Sequence, residues 1–126
     1  NTLWVSYLLQ TPTMKIYIGG DSGYDTHFAD IGKRHGAIDI AILDNGQYDV
    51  AWQFIHALPH EVLKASKDLN AKRVFPVHSS KFVMANHAWD EPLKKISELN
   101  NQANIPLLTP MIGEIVNLND TNQQFK

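Results

Sequence analysis

Two side chains in this sequence could do chemistry together, the carboxylate of Asp21 and the imidazole of His78. Asp21 closes the run Lys15-Ile16-Tyr17-Ile18-Gly19-Gly20-Asp21. Alternating Ile16 and Ile18 predict a short strand there, and the glycines a tight turn that presents the acid. His78 ends a β-branched and aromatic run of the same kind, Arg73-Val74-Phe75-Pro76-Val77-His78-Ser79-Ser80. The C-terminal tips of strands are where α/β proteins place chemistry, so one carboxylate oxygen and one imidazole nitrogen are offered at strand ends. Taken locally, Asp21 reads equally well as a plain turn residue, because Asp and Gly dominate turns for conformational reasons.

The elements that must position these residues follow from periodicity and punctuation. Leu3 to Leu9 is aromatic and β-branched, and Thr11-Pro12-Thr13 separates it from the Met14 to Ile18 strand, which predicts an antiparallel hairpin. Trp4 and Tyr7 read as packing residues. Asp25-Thr26 caps a helical pattern with Phe28 and Ile31 on one face, Lys33-Arg34-His35 near its end and Gly36 as its stop. Ala37 to Leu43 is an apolar run broken only by Asp39, the signature of a strand buried on both faces, and it delivers Asp44-Asn45-Gly46 to a strand end. After Ala51 to Leu58, Pro59 opens a helix through Leu69, which leaves His56 in the loop entering it. The strand Arg73 to Val77 then repeats the strand, helix, strand order that parallel crossovers require. Asp90-Glu91-Pro92 starts a last helix with Leu93, Ile96 and Leu99 as its buried stripe. Ile105 to Leu108 and Glu114 to Leu118 read as two short closing strands, and residues 119–126 as a polar tail. The fold class is α/β, with one domain over residues 1–118.

Bulk composition limits the function classes. A chain of 126 residues suits a single domain with an ordinary core. Eleven Lys and Arg against thirteen Asp and Glu, scattered in sign, argue against nucleic acid as the main partner. With no cysteine, any metal must be held by His, Asp or Glu. No apolar run reaches the ~20 residues of a membrane span, so the sequence reads as soluble, with the cytoplasm favoured as compartment. The start at Asn1-Thr2-Leu3 directly before a strand pattern suggests a chain cut from something longer.

Of the six histidines, His27, His35 and His60 lie in or beside helical patterns and read as solvated surface, while His87 sits in a loop with no feature favouring a ligand role. His56 and His78 differ, because each stands where an element begins or ends, on the edge that Asp21 would share. One Asp and one or two His do not by themselves make a closed site, since a catalytic zinc usually takes three protein ligands plus water.

The order Gly20-Asp21-Ser22-Gly23-Tyr24, then Phe28 to Gly36 with Ile38-Asp39, then His56 with Pro59 and Glu61, then Phe75-Pro76-Val77-His78 with Phe82, resembles the C-terminal half of the metallo-β-lactamase superfamily. Within it, the chain is similar to the branch of N-acylphosphatidylethanolamine-hydrolysing phospholipase D and related bacterial hydrolases. The resemblance implies an αββα sandwich, with Asp21 as a metal-bridging carboxylate and His78 as the last histidine ligand of the second metal. It implies His56 as a catalytic residue contacting substrate or transition state. It also implies two metal ions, commonly zinc with manganese or iron as alternatives, sharing a hydroxide that attacks a phosphodiester, lactone or amide. Tyr24, Tyr48 and Trp52, with His56, are the candidates for lining a pocket for a small-molecule or lipid phosphodiester, with core packing the equal alternative.

The family's first metal motif, His-x-His-x-Asp-His, does not occur in this sequence. The resemblance therefore implies a chain that supplies two of about seven ligands and is inactive alone. A single sheet layer also leaves an apolar inner face, which predicts docking of an N-terminal half or self-association. Two other readings stand beside this one: a noncatalytic oligomerising or partner-binding domain that keeps the half-fold, and a different α/β module in which Asp21 and His78 are merely strand-end residues.

Overall fold

A four-stranded mixed sheet carries the fold in the computed structural model, which describes residues 4–123. β1 (Tyr7–Gln10) runs antiparallel to β2 (Lys15–Ile18) across a turn in which the Met14 N–H donates to the Thr11 hydroxyl at 2.9 Å. β3 (Ile40–Asp44) and β4 (Val74–Val77) add in parallel, giving the order β1-β2-β3-β4. α1 (His27–His35) and α2 (Pro59–Asp68) make the two crossovers, and α3 (Glu91–Ala103) follows β4. Parallel crossovers are right-handed, and here successive strands step in one direction, so both crossover helices must fall on the same face. One core confirms it, joining Phe28 of α1, Val62 and Leu69 of α2 and Ile96 of α3 to Tyr17, Ala41, Leu43 and Val74 of the sheet.

Strand alternation sends Tyr7, Leu9, Ile16, Ile18 and Ile42 to the opposite face. No helix covers it among the described residues, and Tyr7 is 63%, Leu9 51% and Ile18 39% exposed. The architecture is one α/β layer with its helices on one side.

The helix ends obey local chemistry. Gly36 closes α1 at φ 70°, where its N–H donates to the Gly32 carbonyl at 3.0 Å. Pro59 opens α2, and the Glu61 carboxylate accepts the Leu58 N–H at 2.9 Å. At the end of α3 the Asn100 side chain both donates to the Ile105 carbonyl and accepts its N–H, at 2.7 and 2.9 Å.

Asp39 ties three segments at the start of β3. One oxygen accepts the Lys15 N–H at 2.8 Å and the other the Lys72 ammonium at 2.7 Å. The Lys72 hydrogen bond, then that of Lys15, holds its carboxyl below the usual carboxylate range. A depressed folded value contributes stability above the unfolded carboxylate pKa of about 3.9, and loses it as pH falls through the folded value. Lys72 is largely solvated, so Asp39→Ala is expected to cost about 1 kcal/mol at pH 7. Urea unfolding at pH 7 and at pH 2–3 checks this, since the difference from the native chain should shrink in acid.

Three expectations change. Glu114 to Leu118 is not a strand: it finds no partner strand among the described residues, and Ile115 is 85% exposed. Ile105 to Leu108 forms only a single parallel bridge, Leu107 to Val74, because the chain turns away after the Leu108 N–H donates to the Val74 carbonyl at 2.7 Å. In α3 only Ile96 of the expected stripe is fully buried, with Leu99 at the solvent boundary. The expected strand start at Leu3 and the last three residues of the expected tail lie outside the described residues.

Candidate metal centre

The parallel strands all point their C-terminal ends to one edge, and that edge gathers the titratable groups. β2 delivers Asp21 through Gly19-Gly20, β3 ends on Asp44, the loop before α2 carries His56, and β4 is followed by His78. Each of these four offers one ligand atom, and these atoms all lie within 4.8 Å of one another.

Asp44 sits at the bottom of the group with its side chain 2% exposed. Its Oδ2 contacts His56 Nδ1 at 2.7 Å and its Oδ1 contacts His78 Nδ1 at 3.1 Å. An ionised carboxylate only accepts hydrogen bonds, so each ring facing it there donates from Nδ1, which makes Nε2 the outward edge of both rings. Burial pushes the Asp44 carboxyl above the usual range, and the two imidazoles pull it back. The rings stand with centroids 5.1 Å apart and planes 44° apart. Asp21, half-exposed at the mouth, reaches His78 Nδ1 at 3.7 Å through Oδ1.

The donor set fits a divalent cation. It is made of carboxylate and imidazole, the ligands left to a chain without cysteine. Asp44 lies behind both imidazoles, the place from which a carboxylate can orient a metal-binding histidine without joining the ligand sphere.

Asp21, His56 and His78 are thus brought together. Asp44 is the member that sequence reasoning left as a strand-end residue. Of the pocket candidates, Trp52 lines a cleft of about 240 Å³ with Gln47, Ile55, His56 and Met84. Tyr48 donates to the Glu91 carboxylate at 3.0 Å and lies against the His87 ring, and burial followed by that carboxylate raises its pKa. Tyr24 turns to the helix side, where it stacks on Phe28 and its hydroxyl donates to Asp68 of α2. His87 is buried, its Nδ1 donating to the Ala88 carbonyl at 2.9 Å.

Comparison with known proteins identifies the family. A family model described as a β-lactamase superfamily domain matches residues 1–79. The outer membrane protein RomA of Klebsiella pneumoniae is 48% identical over 101 residues, which cover 75% of this chain and 76% of that protein. The mitochondrial N-acyl-phosphatidylethanolamine-hydrolyzing phospholipase D of Saccharomyces cerevisiae is 38% identical over 103 residues, 78% of this chain and 22% of the enzyme. The structure of Igni18, a metallo hydrolase from the archaeon Ignicoccus hospitalis, matches with a TM-score of 0.59 at 20% identity, over 82% of this chain and 40% of that one. The chain therefore spans about three quarters of RomA and well under half of the other two. It belongs to the metallo-β-lactamase superfamily, in the branch of the N-acyl-phosphatidylethanolamine-hydrolyzing phospholipases D.

Proposed function

We propose that this chain is the C-terminal part of a metal-dependent hydrolase that cleaves a phosphodiester, lactone or related ester or amide bond. The observation that carries the reading is the convergence of Asp21, Asp44, His56 and His78 from four separate segments of the chain on one strand edge. Asp21 and His78 would hold zinc, the ion that the family resemblance favours for such donors. When bound, the metal supplies Lewis-acid polarisation and a more acidic water. Asp44 fixes the Nδ1 protons, which leaves His78 Nε2 free as a donor atom and His56 Nε2 free to face the substrate. Protonated at Nε2, His56 can deliver that proton to the leaving group, with the Asp44 carboxylate stabilising the imidazolium. The cleft beside His56, with Ile55, Trp52 and Met84 on its walls, suits a substrate with an apolar part next to the scissile bond, such as a lipid phosphodiester.

The rest of the site and the cover for the exposed sheet face would come from a longer chain or a second copy. The small share of the yeast enzyme and of Igni18 that this chain spans supports the first, and the apolar row Tyr7, Leu9 and Ile18 supports either. The described helices include none long and apolar enough to cross a membrane.

Calorimetric zinc titration of the purified chain tests the reading. One ion is expected to bind the native chain, with Asp21→Asn and His78→Ala each weakening binding at least about tenfold. The chain alone should not hydrolyse a chromogenic phosphodiester with zinc present. Zinc binding indifferent to both substitutions would overturn the metal assignment, and turnover by the isolated chain would overturn its incompleteness.

A further inference from the structure

Gln47 walls the cleft beside His56 and is also tied to both histidine-bearing loops. It is 7% exposed and sits at φ 55°, a left-handed conformation that side chains other than glycine rarely adopt. Such a conformation persists only where the surroundings over-determine it. Here they do. The side-chain Nε2 donates to the carbonyls of His78 at 3.4 Å and Phe82 at 3.2 Å, and Oε1 accepts the N–H groups of Met84 and Ala85, both at 3.1 Å. Two donors and two acceptor lone pairs are thereby all used on one loop. The main-chain carbonyl of Gln47 accepts the Trp52 indole N–H at 2.8 Å, and the Trp52 carbonyl accepts the His56 N–H at 3.1 Å.

The neighbouring residue presses on the same point. A Cβ on Gly46 would lie 2.1 Å from the His78 carbonyl oxygen and 2.7 Å from its carbon, so the chain after β3 touches the His78 backbone directly. His78 is itself left-handed, at φ 69°. The 46–47 corner thus bears on the backbone that carries the His78 ring.

We propose that Gln47 is a positioning residue for the histidine pair: its amide fixes the 78–85 loop so that His78 stays on Asp44 and beside Asp21, and its carbonyl holds Trp52 and through it His56. The use of those histidines rests on the hydrolase reading above, whereas the positioning itself can be read without metal.

Two variants and a control test it. Gln47→Glu keeps the acceptors for Met84 and Ala85 and loses the donors to His78 and Phe82, while Gln47→Met loses all four bonds at similar volume. Asn86→Ala removes another tie between the same loops, the 3.0 Å bond from Asn86 Nδ2 to Asp49, without touching His78. The first measurement is the imidazole nitrogen spectrum of the metal-free chain. The His78 signals are expected to move from the Nδ1–H tautomer toward a mixture in both Gln47 variants and to stay in Asn86→Ala. The second is titration with zinc chloride, with affinity expected to fall about 10- to 100-fold in the Gln47 variants only. Unchanged His78 signals in Gln47→Glu would overturn the proposal, as would an equal effect of Asn86→Ala, which would assign it to general loop order. Should Gln47→Met fail to fold, Gln47→Glu carries the test. If the native chain takes up no zinc, the metal reading fails by itself, and the imidazole signals still decide the role of Gln47.

Discussion

Asp44→Asn is expected to leave the metal-free chain folded and to lower its zinc affinity about 10- to 100-fold. The two effects separate because the carboxylate does different things for the fold and for the site. Burial pushes the Asp44 carboxyl above its ordinary range, so its charged form carries a desolvation cost that a neutral amide avoids. The fold has little to lose. The site has much to lose, because an amide offers one acceptor side and one donor side to two rings that both present Nδ1–H. His56 contacts the carboxylate at 2.7 Å and His78 at 3.1 Å, so the oxygen should stay with His56 and the NH2 should face His78. His78 would then turn its lone pair to Nδ1 and its proton to Nε2, removing the donor atom assigned to the metal. Asp44→Ala makes the contrast, since it strands two N–H groups beside a small cavity and should cost about 2–3 kcal/mol. Thermal melting without metal should therefore fall in the alanine variant and hold in the asparagine one, while zinc titration shows loss in both. Native zinc affinity in Asp44→Asn would remove the orienting role from Asp44.

That carboxylate shows where sequence reasoning stops. Asp21, His56 and His78 could be picked out because each stands at a break in a local pattern: a glycine pair, a helix entry, the end of a β-branched run. Asp44 stands at such a break too, closing the apolar run from Ala37, but locally it is only the first of three residues delivered to a strand end. What distinguishes it is burial between His56 and His78, partners 12 and 34 residues away. The pairing of β3 with β4 brings in His78, and the loop entering α2 brings in His56. Distance in sequence also hid the direction of Tyr24, whose hydroxyl partner Asp68 lies 44 residues on. Glu114 to Leu118 failed in the opposite sense. Its local pattern suits a strand, but a strand exists only with a neighbour to complete its backbone hydrogen bonds, and none lies beside it among the described residues. The fold class, by contrast, rested on helix stops and strand periods that each element carries within itself, and the caps at Gly36 and Pro59 hold as read.

Gly23→Ala should give a large loss from one added methyl, because it strikes the contact between the Asp21 loop and the His56 loop. A Cβ there would meet the Gln53 carbonyl oxygen at 2.4 Å, the Phe54 carbonyl carbon at 2.5 Å and the Phe54 Cα at 2.6 Å. All three are backbone atoms, so no side-chain rotation relieves the clash. The same two loops are pinned close by, where the Ala57 N–H donates to the Ser22 carbonyl at 3.1 Å. Overpacking of this kind costs about 1–3 kcal/mol, and with backbone on both sides the upper end applies. Gly113→Ala supplies the comparison, since Gly113 has φ 90° and nothing within 4 Å of an added Cβ. Its cost is conformational alone, about 1 kcal/mol, while at Gly23 it is steric. Urea unfolding of the two variants should rank them in that order. The functional consequence follows from the direction of the push: moving residues 53–54 away from Gly23 draws His56 off the Asp44 oxygen that it now meets at 2.7 Å. Gly23→Ala should therefore shift the His56 imidazole signals, and Gly113→Ala should not. Equal stability of the two variants, with His56 unmoved in both, would mean that the loops yield without cost and that their contact does not set the geometry of the site.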